Sequence, residues 1–458
     1  MIDVVTIETP GLGDRSYLIT DGRVAVVVDP QRDIDRVQRV LDDRALRLTH
    51  VLETHVHNDY VTGGLELARA SGARYVVAAD EPVDFERVGV REGDEITSGG
   101  LHLRPLHTPG HTPHHLSYAI ADEVAGELID RFVLTGGSLL HGSVGRTDLI
   151  DPSRTDELTR AQHRSARRLL DELGGTVAVL PTHGFGSFCS STSSTESSDG
   201  TIAGERDVNQ AARIGDEDTF VATIISGLTA YPSYYERMAP INRSGPPPID
   251  LSAPPAVHAD GVAESLRRGD WIVDLRSRRA FAEQHVAGTV NVGLDGGFAT
   301  YLGWVLPWRA PLILLGAEAD HIAAAQRELV RIGVDRPAGG IVGGPEAVAS
   351  GARLHRYVVA DFPGLAKALG TAAGGVPPVV VDVRRDDEWR DGHIDGAVHI
   401  PLPDLADRAA RIPEGELWVH CASGYRSAIG ASLLARAGRE VVLVDDDFSN
   451  AADSLPVI

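Results

Sequence analysis

A cysteine in the last third of the chain stands where a predicted strand changes into a predicted helix. In "WVHCASGYRSAIGASLLARAG" the strand ends at His420, Cys421 follows, and a helical pattern begins at Ser427 after a five-residue turn. Such a turn points backbone N–H groups at one place, beside the positive end of the helix. That field stabilises a thiolate or persulfide anion, and Arg426 adds a planar cation for an oxyanionic sulfur donor. We predict that Cys421 is a nucleophile that carries sulfur.

Several side chains with metal-binding atoms follow other predicted strands. They lie in "ETHVHNDY", "LHTPGHTPHH" and "VLPTHGFGSFC", and the candidates are His55, His57, Asp59, His111 and His183. The carboxyl ends of strands in an α/β domain meet at one edge, so these side chains can converge. Clustered imidazoles suit zinc, iron or another metal of intermediate hardness. The pattern therefore predicts a metal site in the first half of the chain.

Composition narrows the class of protein. The 458 residues carry a net charge of −22, which argues against nucleic acid or an anionic membrane as partner. No apolar run is long enough to span a bilayer, and "MIDVVTIETPGLGDR" lacks the pattern of a signal peptide, so we expect a cytoplasmic protein. Two cysteines exclude a disulfide framework.

The elements that must position these residues fall into three α/β units. We predict a first domain over 1–242, a proline-rich linker over 243–257, and two repeats over 258–352 and 353–458. "WIVDLRSRRAFAEQHVAGTVNV" of the first repeat matches "VVVDVRRDDEWRDGHIDGAVHI" of the second, and Gly316 aligns with Cys421. Only the second repeat therefore carries the thiol.

The second repeat, with "VDVR", "GHIDGAVHIP" and "CASGYRS", resembles a rhodanese domain, an α/β sulfurtransferase fold with a parallel sheet. The resemblance implies catalytic roles for Cys421, Arg426 and Ser427, and an anion-binding loop of Ala422, Ser423, Gly424 and Tyr425. The first repeat resembles an inactive rhodanese, because its acidic "GAEAD" offers neither thiol nor positive pocket.

The order "THVHND", "TPGHT", "GRTD" and "PTHG" resembles the metallo-β-lactamase fold, an αββα sandwich, and more closely its persulfide dioxygenases. By that resemblance, His55 and His111 would hold one Fe(II) together with a carboxylate. Three further residues map to ligand positions that two-metal relatives use, namely His57, Asp59 and His183. Arg146 and Asp148 of "GRTD" would flank the pocket.

The family's carboxylate position, in a pattern close to "TGD", falls on Gly137 of "LTGG", so we infer a lost ligand there. Three alternatives stay open. In the first, His55, His57 and His111 form a three-histidine site with water, as in open zinc sites. In the second, Asp59, His183 or His141 supplies the third ligand to iron. In the third, the site is empty and the domain is a scaffold.

The resemblance implies an enzyme of sulfur metabolism that acts on a low-molecular-weight thiol persulfide such as glutathione persulfide. The cofactor would be one Fe(II) or Zn(II) per chain, with Fe(II) serving persulfide oxidation, and Cys421 would exchange sulfur with thiosulfate or sulfite. The alternative is a rhodanese sulfurtransferase whose first domain is a zinc hydrolase or a metal-depleted scaffold. Cys189 opens a serine-rich stretch, predicted to be a mobile surface loop, and is either a second sulfur-relaying thiol or incidental. Assembly into a homo-oligomer is left open.

Overall fold

The computed structural model describes residues 2–191, 200–371 and 377–458. These residues form two compact units, one of residues 1–249 with 330–333 and one of residues 250–329 with 334–458. The boundary between Ile249 and Asp250 falls inside the predicted linker. The separate domain bounds within the second unit stay a prediction.

The first unit alternates short β-branched strands with amphipathic helices. Its strands are β1 (Asp3–Thr9), β2 (Asp14–Thr20), β3 (Val24–Val28), β4 (Arg47–Leu52), β5 (Arg74–Ala78), β6 (Val88–Val90), β7 (Ile96–Ser98), β8 (Leu101–His107), β9 (Leu116–Val124), β10 (Glu127–Gly136) and β11 (Ala178–Pro181). Its helices are α1 (Asp35–Asp43), α2 (Gly64–Ser71), α3 (Thr155–Glu172), α4 (Ile202–Val208), α5 (Gln210–Arg213), α6 (Glu217–Gly227) and α7 (Tyr235–Ser244), with a 3-10 turn at Pro152–Arg154.

Two sheets of the first unit pack face to face. One has the order β1-β2-β3-β4-β5-β6 and the other β11-β10-β9-β8-β7. The apolar cluster between them includes Val26 and Tyr118, and further clusters bury the outer faces under helices, with Leu41 of α1 on one side and Leu169 of α3 on the other. Helices therefore cover both outer faces, which confirms the predicted αββα sandwich.

One detail of the first unit differs from the sequence prediction. Residues 187–191, expected to start a surface loop, include the fully buried Cys189, while 192–199 lie outside the described residues.

The second unit is built of helices and short strands, which are parallel in its two larger sheets and antiparallel in one pair, His285–Val286 with Leu354–His355. The strands are β12 (Trp271–Asp274), β13 (His285–Val286), β14 (Val290–Asn291), β15 (Leu312–Gly316), β16 (Gly339–Val342), β17 (Leu354–His355), β18 (Val358–Ala360), β19 (Val379–Asp382), β20 (Val398–His399), β21 (Leu417–His420) and β22 (Val441–Val444). The helices are α8 (Ala259–Arg268), α9 (Arg278–Glu283), α10 (Phe298–Val305), α11 (Ala319–Arg331), α12 (Pro345–Val348), α13 (Phe362–Thr371), α14 (Asp386–Arg390), α15 (Leu405–Arg408) and α16 (Tyr425–Arg436). The 3-10 turns are Leu402–Asp404, Ala409–Arg411 and Phe448–Asp453.

The two sequence repeats form sheets with matching strand order. The first has the order β14-β12-β15-β16, and the second has β20-β19-β21-β22 with β18 added at its edge. Internal contacts are repeated as well. Arg276 pairs with Asp274 at 2.6 Å, and Arg384 pairs with Asp382 at 2.7 Å. The internal repeat inferred from sequence is thus present in the backbone topology and in buried ion pairs.

In the described part of the chain, no helix has the length and apolar character needed to cross a membrane.

Candidate metal centre and sulfur-transfer loop

The predicted metal ligands of the first unit meet at the carboxyl ends of strands. His55 follows β4, His111 lies in the turn between β8 and β9, and His183 follows β11. All three side chains are buried, and their ring centres lie 4.7 to 5.3 Å apart. One ligand atom from each lies within 4.8 Å of the others, a spacing at which they could hold one metal ion.

Each of these histidines is oriented by a partner on its other ring nitrogen. Nδ1 of His111 donates to the backbone oxygen of Arg146 at 2.7 Å. Nδ1 of His55 lies 2.9 Å from the hydroxyl of Thr54, which itself donates to Asp29. His55 therefore donates its hydrogen through Nδ1. In both His55 and His111 the lone pair on Nε2 is available to bind a metal. Such outer partners fix the tautomer and raise the basicity of a ligating histidine.

His183 is oriented by carboxylates. Its Nδ1 lies 2.9 Å from Asp14 and 3.1 Å from Asp59, and its Nε2 lies 3.3 Å from Nε2 of His55. Burial alone would lower the pKa of His183, but Asp59 and Asp14 outweigh it and raise that pKa well above its usual value. A metal that binds Nε2 of His183 must therefore displace the proton on that nitrogen, which makes the metal affinity depend on pH.

His57 lies with Asp59 and His183, as the resemblance to two-metal relatives implies, and not with His55 and His111, as the three-histidine alternative requires. Its Nε2 lies 3.2 Å from Asp29 and 3.3 Å from Glu53, and its ring stacks on Tyr60. Burial would lower the pKa of His57, but the two carboxylates raise it to about 9. The ligand atoms of His57 cluster with Asp59 and His183, or with Asp29 and Glu53, rather than with His55 and His111. The geometry thus favours His183 over His57 as the third nitrogen.

Gly137 lies inside the site, directly after β10. A Cβ atom at this position would overlap the ring of His111, and the Gly137 amide donates to Nε2 of His115 at 3.1 Å. The imidazole of His111 therefore occupies the space into which a side chain from residue 137 would grow. The loss of a ligand at this position stays a prediction.

Unpaired buried atoms test whether these residues suit a metal. Nε2 of His111 and Oδ1 of Asp59 are buried and have no hydrogen-bond partner among the described residues. Burial lowers the pKa of His111 to about 3, so its imidazole is the neutral form that binds metals. Buried polar groups are rarely left unpaired without a reason. Neutral nitrogens facing a carboxylate fit zinc or ferrous iron.

The other predicted pocket residues have structural partners. The Arg146 guanidinium pairs with Asp148 at 2.7 Å and donates to the backbone oxygen of Thr229 at 2.8 Å. Its contribution to the centre is its backbone oxygen, which orients His111. His141 pairs with Glu205 at 3.2 Å and joins none of the metal-binding groups found among the described residues.

Cys189 is buried, contrary to the expected place on a mobile surface loop. Its thiol lies against the carboxylate of Asp59, and burial followed by Asp59 raises the pKa of this thiol well above its usual value. The residue therefore sits beside the candidate ligands as a neutral thiol, a form that is a weak nucleophile.

The sulfur-transfer loop of the second unit is shorter than expected. Helix α16 begins at Tyr425, two residues before the predicted start, so Arg426 and Ser427 lie in its first turn. Gly424 has a φ of +91°, and its amide donates to Sγ of Cys421 at 3.2 Å. The Cys421 thiol faces the hydroxyl of Ser427 at 3.4 Å. The loop thus directs an amide and a hydroxyl at the sulfur, beside the N-terminus of α16.

Arg426 has a partner that the sequence reasoning missed. Its two terminal nitrogens reach the two oxygens of Glu388 at 2.5 and 2.6 Å. A fork-to-fork pair of this kind is geometrically specific and leaves no net charge. The pair joins α16 to α14, and the expected role of Arg426 in holding an oxyanionic donor stays a prediction.

The first repeat has no equivalent of this loop. Gly316 ends β15, and a Cβ atom there would approach the backbone oxygen of Glu318 at 3.1 Å and Cβ of His321 at 3.0 Å. Helix α11 begins three residues later with Asp320 in its first turn. The site is crowded and acidic, in line with the interpretation of this repeat as one without sulfur chemistry.

Sequence reasoning also missed the carboxylates that support the metal centre. Asp29 ends the strand in "VAVVVDP", Asp14 opens β2, and Glu53 follows β4. Only Asp29 had a recognisable signal, an acidic residue directly after a buried apolar strand. Asp14 pairs with His183 across 169 positions of sequence, a contact that no local pattern announces.

Comparisons with known proteins agree with this architecture. The family model of the metallo-beta-lactamase superfamily matches residues 10–183, and that of the rhodanese-like domain matches residues 365–453. No second match to the rhodanese model accompanies the first repeat, so its assignment to that family stays a prediction.

Relatives of known sequence match the first unit. A hydroxyacylglutathione hydrolase from Methylococcus capsulatus is 38% identical over 112 residues, 23% of this chain and 43% of that protein. An uncharacterized protein of Mycobacterium tuberculosis is 30% identical over 190 residues, 36% of this chain and 81% of that protein. The human mitochondrial persulfide dioxygenase ETHE1 is 27% identical over 183 residues, 40% of this chain and 65% of that protein.

A solved structure matches across both units. The crystal structure of a metallo-beta-lactamase from Staphylococcus aureus has a TM-score of 0.66 at 27% identity, covering 74% of this chain and 99% of that one. The fold, the histidine cluster and these matches lead to one assignment. The chain carries a metallo-beta-lactamase domain over residues 10–183 and a rhodanese-like domain over residues 365–453.

Proposed function

We propose that the chain is an enzyme that oxidises a low-molecular-weight thiol persulfide in its first unit and transfers sulfane sulfur through Cys421 in its second. The observation that carries the proposal is the presence, on one chain, of a convergent histidine cluster and a thiol at a helix N-terminus. Homology to a persulfide dioxygenase and a rhodanese-like domain supports sulfur metabolism as the common theme.

In the first unit, His55, His111 and His183 would hold the metal, with Asp59 supplying an oxygen nearby. A ferrous ion with open positions can bring a persulfide and dioxygen together. The chain's own groups orient the imidazoles through Thr54 and Arg146 and exclude water by burial.

In the second unit, Cys421 is the nucleophile. The amide of Gly424 donates to its sulfur and stabilises the thiolate or the persulfide, and the hydroxyl of Ser427 accepts the hydrogen of the neutral thiol. Substrates are small thiol persulfides, thiosulfate or sulfite. Glutathione persulfide is the first to test, because relatives act on glutathione conjugates and persulfides by name.

The test separates the two activities on the full-length chain. We expect purified protein to contain iron and to consume oxygen with glutathione persulfide. His111→Ala should lose iron and oxygen uptake while it keeps cyanide-dependent thiocyanate formation. Cys421→Ser should show the reverse, with thiocyanate formation reduced at least about 1,000-fold because its nucleophile is missing.

Two results would contradict the proposal. Full iron occupancy without oxygen uptake would exclude the dioxygenase, and unchanged thiocyanate formation by Cys421→Ser would exclude the sulfurtransferase assignment.

A second candidate for the first unit is a zinc-dependent thioester hydrolase. Two observations favour it: the likeness to a hydroxyacylglutathione hydrolase, and three imidazoles of the kind that catalytic zinc sites use. Stoichiometric zinc together with hydrolysis of a hydroxyacyl-glutathione thioester would establish it.

A further inference from the structure

Residues of the first repeat lie against the Cys421 loop of the second. The hydroxyl of Tyr425, next to the loop, donates to the backbone oxygen of Gly293 at 2.7 Å. The ring of Tyr425 also lies 5.7 Å from that of Tyr301, and it fills the space where Gly296 has no side chain. The repeat without a thiol therefore forms part of the surroundings of the thiol.

A buried carboxylate joins the two repeats beside this loop. Asp445 directly follows β22, and its side chain is 4% exposed. Its Oδ1 accepts from Nε of Arg278 at 2.6 Å, and its Oδ2 accepts from Nε of Arg279 at 2.7 Å. Both arginines belong to the first repeat. Asp445 thus holds a guanidinium from the first repeat at a fixed place.

That place is close to the reactive sulfur. A Cβ atom on Gly424 would overlap Asp445 and would lie 3.0 Å from Nε of Arg278. The amide of the same glycine touches Sγ of Cys421 at 3.2 Å. Burial would lower the pKa of Arg278, but Asp445 outweighs it, and Cys421 is near enough to add to the rise.

Two arginines lie near the sulfur of Cys421, namely Arg278 and Arg426. Both terminal nitrogens of Arg426 are taken by the two oxygens of Glu388, and both groups are largely buried. Arg278, by contrast, bonds Asp445 through Nε alone, so its Nη atoms make no fork-to-fork pair with that carboxylate. The next carboxylate, the half-exposed Asp295, lies 3.5 Å from Nη1 of Arg278.

We propose that Arg278, contributed by the repeat that lacks a thiol, binds the oxyanionic end of the sulfur substrate at Cys421 and makes the site selective for thiosulfate or sulfite. This inference rests on the sulfur transfer assigned to Cys421 above. The Nη atoms of Arg278 bind the sulfonate-like oxygens, while Asp445 positions the side chain through Nε.

The transfer conserves atoms and charge. With thiosulfate as donor, the Cys421 thiolate attacks the outer sulfur. A new S–S bond forms at Cys421, the old S–S bond breaks, and sulfite leaves with the electron pair. With sulfite as acceptor the same steps run backwards, and the thiolate of Cys421 is the leaving group. In both directions Arg278 binds the three oxygens on the sulfite sulfur rather than the sulfur being transferred.

The test compares two neighbouring arginines in the full-length chain. Arg278→Gln should raise the KM for thiosulfate about 10- to 100-fold, as expected for loss of a charged hydrogen bond, with kcat within about threefold. Arg279→Gln is the matched control, because Arg279 bonds the other oxygen of Asp445 but its side chain is 70% exposed. Its KM should change less than about twofold. Arg278→Lys should fall between Arg278→Gln and wild type.

A chemical measurement accompanies the kinetics. The rate of Cys421 alkylation by anionic iodoacetate, divided by the rate with neutral iodoacetamide, should fall in Arg278→Gln and stay unchanged in Arg279→Gln. This ratio cancels changes in thiol reactivity and reports the local positive charge. If Arg278→Gln does not fold, the same ratio and KM in Arg278→Lys decide the question.

Three outcomes overturn the inference: an unchanged KM in Arg278→Gln, equal effects of the two glutamine variants, or a loss confined to kcat. Failure of the proposed function would look different, since wild-type protein would then transfer no sulfur from any donor.

Discussion

At the scale of single residues, the geometry of the candidate metal centre depends on which ring nitrogen of each histidine is used for a protein partner. His55 and His111 each use Nδ1 for a protein partner, and His183 uses Nδ1 for two carboxylates. The Nε2 atoms are thereby directed to one place. The absence of a side chain at Gly137 matters for the same reason, because the ring of His111 fills that space.

We expect Gly137→Ala to disturb the metal centre. The added methyl group overlaps the His111 ring, so the ring must move away from His55 and His183. Overpacking of this kind costs about 1–3 kcal/mol of unfolding free energy. Denaturant unfolding and metal analysis of the purified protein should show lower stability and lower metal content.

The matched control is Gly174→Ala. A Cβ atom at position 174 comes no closer than 3.8 Å to its described neighbours, the nearest atom being Cγ2 of Val177. This variant should keep its stability and its metal. Wild-type metal content in Gly137→Ala would contradict the argument.

At the scale of secondary structure elements, each repeat contains the same helix-to-strand junction. His285 donates from Nδ1 to the backbone oxygen of Phe281 at 2.8 Å, and His393 donates to that of Trp389 at 3.1 Å. In the first repeat the junction joins α9 to β13, and the His285 ring stacks on Phe281. The histidine therefore secures a chain reversal that both repeats need.

The junction of the first repeat predicts a pH dependence of stability. Burial lowers the pKa of His285 to about 4, whereas an unfolded histidine titrates near its model value of 6.5. Between those two pKa values His285 binds more protons in the unfolded chain than in the folded one. The contribution of neutral His285 to the free energy of unfolding is therefore complete above pH 6.5 and is lost as the pH falls towards 4. The loss attributable to this group reaches about 3 kcal/mol.

Urea unfolding of wild type and His285→Gln at pH 7 and at pH 4.5 measures this contribution. The variant should be less stable at pH 7, because stacking and the hydrogen bond change, but its further loss at pH 4.5 should be smaller. Equal losses in the two proteins would show that His285 is not responsible.

At the scale of the whole molecule, the chain combines an αββα sandwich with a unit in which one topology occurs twice. The two copies keep their buried Asp–Arg pairs but differ at the end of the central strand, Gly316 in one and Cys421 in the other. The repeat without a thiol still supplies side chains to its neighbour, since Arg278 and Arg279 bond Asp445.

Metal removal should affect the first unit selectively. A metal bound to the native centre would stabilise the segments that hold it. Hydrogen exchange with and without chelator should show loss of protection in residues 53–60, 108–115 and 182–187. Residues 417–428 around Cys421 should be unchanged, which serves as the internal control. Uniform changes in both regions would contradict a metal centre confined to the first unit.

Much of the fold and part of the site followed from local pattern. The αββα class, the internal repeat and the strand-end positions of the histidines rest on apolar runs, turn residues and motif spacing, all of which act over short distances along the chain. The thiol of Cys421 was recognisable because strand, loop and helix are consecutive in sequence.

The remaining features were decided by contacts between distant residues. The sequence determined that His55, His111 and His183 can be ligands. The tertiary structure decided that His183 rather than His57 joins the other two, that Cys189 is buried beside Asp59, and that Glu388 takes the charge of Arg426. Histidine tautomers, ion pairs and the room for each side chain depend on which groups come into contact after folding. Arg278 and Asp445 are more than 100 positions apart, and no local sequence pattern predicts their contact.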